Sequence, residues 1–82
     1  MNYNITIKPR AIKDGKKIPK KILDNIVKKI KMMKNDLKGD VKHLTNFSPE
    51  YRLRAGSYRV LFEIKESDII VYRIKHRKNA YK

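Results

Sequence analysis

The sequence contains no cysteine, which excludes disulfides, thiolate chemistry and zinc-finger sites together. Its two histidines alone cannot close a metal site. The eight acidic residues are scattered and suggest no two-metal centre, and no glycine-rich run resembles a nucleotide cradle. No metal and no cofactor are therefore expected. No apolar run approaches the ~18 residues of a membrane span, so a transmembrane protein is not expected. The opening residues, MNYNITIKPR, lack the long apolar stretch of a secretory signal. The expected location is cytoplasmic.

What the chain does have is basic charge. Twenty-two Lys and Arg against eight Asp and Glu leave a formal net charge of +14 over 82 residues. Self-repulsion at this density weakens the compact state, and a polyanionic partner would relieve it. Nucleic acid, an acidic protein, or both fit that description. The length implies one domain, residues 1–82, which buries roughly two-thirds of its unfolded surface. Such a core leaves little room for an enclosed catalytic cavity.

The periodicity divides the chain into two halves. Residues 3–8 (YNITIK) alternate and carry β-branched side chains, as a short strand does. Pro9 can open a helix, and residues 10–14 read as one or two helical turns ended by Gly15. From Pro19 to about Asp36 the period becomes helical: Ile22, Ile26, Ile30, Met33 and Leu37 form one stripe, widened by Leu23 and Val27. Residues 40–50 read as a connection, with Leu44 and Phe47 as anchors into the core. Three strands follow in quick succession, at 51–55, 58–65 and 69–75, separated by Gly56-Ser57 and by residues 66–68. The tail, 76–82, is short and basic. The order β-α-α-β-β-β predicts an α+β fold with a helical pair packed on one face of a mostly antiparallel sheet.

The two halves carry different cations. Residues 8–34 hold eleven Lys or Arg against Asp14 and Asp24, nearly all of them lysines that read as a solvated helix face. Arg52, Arg54, Arg59, Arg73 and Arg77 all fall in the strand half. Arginine grips phosphate through a planar two-point fork, whereas lysine is a point charge. With Val60, Phe62 and Ile64 in the core, period 2 turns Arg59 outward beside Arg52 and Arg54, while Arg73 shares a side with Lys75. The sheet is then expected to show one apolar face to the helices and one open basic face to a phosphate ligand.

Residues 51–64, YRLRAGSYRVLFEI, resemble the signature hairpin of the RelE/ParE superfamily of type II toxins. Residues 69–81, IIVYRIKHRKNAY, resemble its last strand and C-terminal motif, and the element order and length are similar throughout. The resemblance implies a microbial ribonuclease-like fold. In the RelE branch it implies a metal-independent endoribonuclease that enters the ribosomal A site and cuts mRNA, the ribose 2′-OH attacking the adjacent phosphate. In the ParE branch it implies a DNA gyrase inhibitor of the same fold. An inactive RNA-binding member is a third possibility. A cognate antitoxin, expected to be acidic, would neutralise the toxin.

By position, Arg52 matches a basic residue of the RelE site, and Arg59 matches the arginine that contacts the scissile phosphate. Arg77 matches the arginine after the last strand, and Tyr81 the C-terminal tyrosine that stacks on or activates the nucleotide. His76 matches the "HR" variant of the motif, in which histidine acts as an acid; it is also the side chain whose ordinary titration lies nearest neutrality. Arg59, Arg77, His76 and Tyr81 are thus the expected catalytic set. Arg52, Arg54, Arg73, Lys75 and Lys78 are the expected RNA- and phosphate-binding set, although Arg54 could instead bond a turn or a carboxylate such as Glu63. Glu50 stands where the best-studied RelE toxin has a lysine, and Tyr81 follows Arg77 more closely than it does there. The general base is left open.

Overall fold

The longest strands of the chain, β4 (Tyr58–Lys65) and β5 (Asp68–His76), each carry a run of three apolar residues, and β4 is the middle strand of the sheet with β5 beside it. A computed structural model describes residues 1–81. Before them come β1 (Asn4–Ile7), α1 (Pro9–Gly15), α2 (Lys20–Met32), β2 (Asp40–His43) and β3 (Tyr51–Ala55). The five strands run in the order β1-β5-β4-β3-β2; β1 lies parallel to β5 and the other neighbours are antiparallel. The architecture is the expected α+β arrangement, with one strand more than expected. No helix is long and apolar enough to cross a membrane among the described residues.

That extra strand corrects the reading of residues 40–50 as a connection throughout. Its sequence, DVKH, holds one apolar residue and is too short to show a period. It is extended because β3 offers it an edge, with Val41 paired to Leu53. A second correction shortens the long helix, which ends at Met32 rather than near Asp36. Asp36 and Leu37 both take a left-handed conformation, φ 56°, which no helix can continue through. Leu37 still packs against the core, but from the turn that follows the helix.

The core lies between the helices and one face of the sheet. Ile26, Ile30 and Met33 pack with Ala11 and Ile18 against Leu53, Val60, Phe62, Ile69, Val71 and Ile74, all buried. Each large side chain there contributes on the order of 1.5–3 kcal/mol by leaving water. Ile22 departs from its expected stripe and is 44% exposed. It sits in the first turns of α2, beyond the sheet's end, over a shallow groove beside Gly56 and Tyr58.

Two features at the sheet edges set up the other face. β1 pairs with β5 only from Asp68 to Val71, so the second half of β5 needs another neighbour. Helix α1 fills that place, and the Asp14 carboxylate accepts the Ile74 N–H at 3.0 Å, as a neighbouring strand's carbonyl would. Within the β4–β5 pair, Leu61 faces Arg73 but Phe62 faces Val71, which leaves Tyr72 as an unpaired bulge residue. The extra residue lies on β5, so the alternation of β4 survives intact.

Candidate nucleic-acid interface

Cross-strand register places the predicted cations in rows on the face away from the helices. Asp40, Arg54, Arg59 and Lys75 stand directly opposite one another across β2, β3, β4 and β5. The next row holds Lys42, Arg52, Leu61 and Arg73. Residues that face each other across antiparallel strands share a side of the sheet. Arg52, Arg54, Arg59, Arg73 and Lys75 therefore rise from one face, as the alternation predicts.

The face is less open than expected. Arg59 is 9% exposed and Arg52 is 8% exposed. Leu61, expected outside, is 2% exposed and lies apart from the main core. The tail and the β2–β3 loop both run beside this face. After β5 the Arg77 N–H bonds the Ser57 carbonyl at 2.8 Å, and the chain turns back. Ala80 is 1% exposed, and the Tyr81 ring meets the Phe47 ring edge-on, with centroids 5.5 Å apart. Phe47 belongs to the loop between β2 and β3, so the tail crosses the face from β5 towards β2. Tyr81, Lys42, Thr45 and Phe47 border a groove of about 390 Å³ at that end.

The arginines of the face are held by groups of the protein itself. Arg59 Nη1 donates to the carbonyls of Gly56, at 2.9 Å, and Tyr58, at 3.0 Å, which folds the guanidinium back on its own hairpin. Arg52 Nη1 donates to the Asp40 carbonyl at 2.8 Å and to its carboxylate at 3.0 Å. Arg54 stands 3.5 Å from the second oxygen of the same carboxylate, so the carboxylate partner of Arg54 is Asp40 rather than Glu63. The Arg52 hydrogen bond, joined by the charges of Arg52, Arg54 and Arg59, holds the Asp40 carboxyl below its ordinary range. One carboxylate thus serves both Arg52 and Arg54.

Arg73 is committed elsewhere. Its Nε and Nη2 grip the two oxygens of Asp14 at 2.7 and 3.0 Å. Burial pushes the Asp14 carboxyl up, but the Arg73 bonds, the Ile74 N–H and the charges of Arg73 and Arg10 outweigh it and leave it lowered. The Asp14 hydrogen bond in turn raises the Arg73 guanidinium above its ordinary value. Arg73 thus ties α1 to β5.

His76 falls on the other side of β5. Its register partner is Tyr58, which faces Ala55 in the core row, and the two rings pack edge-on at 5.4 Å. Its Nδ1 accepts the Lys78 N–H at 3.3 Å, which leaves Nε2 to carry the ring proton. The structure therefore does not bring His76 together with the Arg54–Arg59–Lys75 row. Arg77 and Lys78 are exposed beside the β3–β4 turn, and among the described residues no ion pair engages either side chain.

Sequence reasoning missed the carboxylates Asp14 and Asp40 and the aromatic partner Phe47. Asp40 follows Gly39 at the start of an edge strand, a weak signal. Asp14 gave none, because its partner lies 59 residues away.

Comparison with known proteins gives this face a family. A family model described as the ParE toxin of the type II toxin-antitoxin system, parDE, matches residues 5–81. Toxin RelE3 of Methanocaldococcus jannaschii is 35% identical over 79 residues, which cover 85% of this chain and 85% of that protein. The putative toxin RelE1 of the same organism is 33% identical over 88 residues, covering 100% of this chain and 98% of that one. Among solved structures, the RelB-RelE antitoxin-toxin complex from Methanococcus jannaschii contains a chain that matches with a TM-score of 0.76 at 31% identity, over 93% of this chain and 94% of that chain. Two helices on a five-stranded mixed sheet are common to both. By its sequence from end to end, and by its fold, this chain belongs to the RelE/ParE superfamily of type II toxins.

Proposed function

We propose that this toxin is a ribosome-dependent, metal-independent mRNA endonuclease. The observation that carries the reading is the cross-strand row of Arg54, Arg59 and Lys75, with exposed Arg77 beside the same hairpin turn. In the reaction the ribose 2′-oxygen attacks the neighbouring phosphorus, its proton passes to a base, and the 5′-oxygen leaves with a proton from an acid. The products are a 2′,3′-cyclic phosphate and a 5′-hydroxyl. Negative charge grows on the phosphoryl oxygens in the transition state, and fixed guanidinium groups stabilise it there. Arg59 and Arg77 are the groups assigned that work. Tyr81, at the far end of the face, suits stacking on a base or moving a proton through its hydroxyl. His76, across the strand from the row, suits holding the tail turn in place.

The face is a shallow surface rather than an enclosed cavity. A surface of this kind aligns an attacking 2′-OH poorly by itself, so the ribosome is assigned the second wall, which supplies orientation. The lysines of the helices give diffuse attraction to ribosomal RNA that weakens as salt rises. An acidic antitoxin is the proposed partner. The RelE relative of known structure is solved with its antitoxin RelB, and a basic face on a chain of +14 is complementary to an acidic segment.

Primer extension on mRNA from translating ribosomes tests the reading, using the wild type and the Arg59→Ala, Arg77→Ala double variant. Discrete A-site cuts are expected from the wild type and none from the variant, which should still bind antitoxin. Growth arrest with induced DNA damage, gyrase co-purification and no cuts would favour the gyrase-inhibitor reading instead.

A further inference from the structure

We infer that the cleft where β1 meets α1 is a nucleobase pocket that reads a guanine of the RNA strand lying on the arginine row. This inference rests on the RNA-cleaving reading and adds a specificity site to it. The cleft measures about 700 Å³ and opens on the same side of the sheet as the row. Lys8, Pro9, Arg10, Pro49, Glu63 and Tyr72 are among the residues that line it. Glu63 lies four residues beyond Arg59 on β4, about 13 Å along the strand. One single-stranded RNA can therefore cross both sites.

The composition selects the ligand. Tyr72 is the residue the bulge leaves unpaired, and bulges re-aim side chains in this way. An aromatic side chain and two prolines lining one cleft suit a stacked, unpaired base. Lys8 and Arg10 suit the phosphate attached to it. Glu63, half-buried, is an acceptor with two oxygens. Guanine alone offers two adjacent N–H donors on its pairing edge, at N1 and N2. Adenine, cytosine and uracil set an acceptor next to their donor, which a carboxylate repels. An acidic peptide would meet the same repulsion from Glu63.

Two measurements test this. Cut sites on translating ribosomes should show a guanine preference at one fixed position near the cut. Glu63→Gln should flatten that preference by about ten-fold or more while cutting continues. An unchanged preference in Glu63→Gln would overturn the pocket and leave the cleavage reading standing. The second measurement does not depend on cleavage: the folded protein is titrated with guanosine and with uridine 5′-monophosphate and followed by amide NMR. Guanosine monophosphate should shift the Glu63, Tyr72 and Arg73 amides more than uridine monophosphate does, and Glu63→Gln should remove the difference. Equal shifts from both nucleotides, shifts confined to the Arg54–Arg59–Lys75 row, or no shift would each overturn the inference.

Discussion

Arg73 and Asp14, 59 residues apart in the chain, meet through two parallel hydrogen bonds of 2.7 and 3.0 Å, and the same carboxylate closes the open edge of β5 at Ile74. One side chain thus does the work of a strand partner and of a helix anchor. Asp14→Ala should lower stability by about 1–3 kcal/mol, because it leaves a part-buried guanidinium and an N–H without their acceptor. Urea unfolding measures this. Arg73→Lys should recover little, since an ammonium cannot reproduce the two-point grip.

The same pair sets an acid limit on the fold. The folded-state pKa of Asp14 lies below its unfolded value, so its ion pair contributes fully above about pH 4 and is lost as pH falls through the folded value. Asp14→Asn removes that dependence. The wild-type advantage over Asp14→Asn should be constant near neutral pH and shrink on acidification below about pH 4. Thermal melts at a series of pH values read it directly. An advantage that persisted at low pH would mean that the carboxyl is not stabilised in its charged form.

On the RNA-cleaving reading, Asp40 would compete with phosphate for Arg52 and Arg54, both of which it contacts. Asp40→Asn keeps an oxygen in place but removes the charge. Single-stranded RNA should then bind several-fold tighter at low salt, and the log–log salt slope should steepen by about one unit. Filter binding across a salt series checks both. A tighter complex with an unchanged slope would point to a shape effect instead.

The tail is held down at Phe47. Phe47→Ala removes the edge contact with Tyr81, which is worth about 0.5–1.5 kcal/mol beyond the area it buries. Hydrogen exchange at Ala80 should quicken, with the core strands unaffected. Tyr81→Phe keeps the ring, so it should leave exchange alone and slow RNA cutting only if the hydroxyl moves a proton.

The two glycines at positive φ should answer alanine differently. A Cβ on Gly39, φ +129°, would stand 2.9 Å from Leu53 Cδ1 in the core. A Cβ on Gly56, φ +60°, would meet nothing within 4 Å. Gly56→Ala should cost about 1 kcal/mol of backbone strain, and Gly39→Ala more, about 2–3 kcal/mol. Paired thermal melts decide the order.

Much of this was legible in the chain because local period determined it. Ile26, Ile30 and Met33 are buried as their spacing demands, and the alternation of β4 placed Arg59 on the right face. What the period could not carry was side-chain bonding and contact between distant segments. Arg59 reads as exposed until its guanidinium folds back on the Gly56 and Tyr58 carbonyls, and Arg73 reads as a ligand-facing cation until Asp14 arrives from the other half of the chain. Residues 40–43 extend because β3 lies beside them, although no pattern of their own requires it. His76 illustrates the same limit: its motif matches the family's site, yet its register partner Tyr58 puts it on the core side of the sheet, away from the arginine row.

The parallel pairing of β1 with β5 has a consequence for how the toxin comes into being. The strand made first borders only the strand made last, so β1 stays unpaired through synthesis until residues 68–71 emerge. Helix α1 waits equally long for Arg73. The row's fourth member, Lys75, likewise arrives only with β5, when that strand pairs with β4. On the proposed reading a nascent chain would be harmless until almost all of it exists, and an antitoxin that seized β1 or α1 early would intercept the toxin before its site had formed.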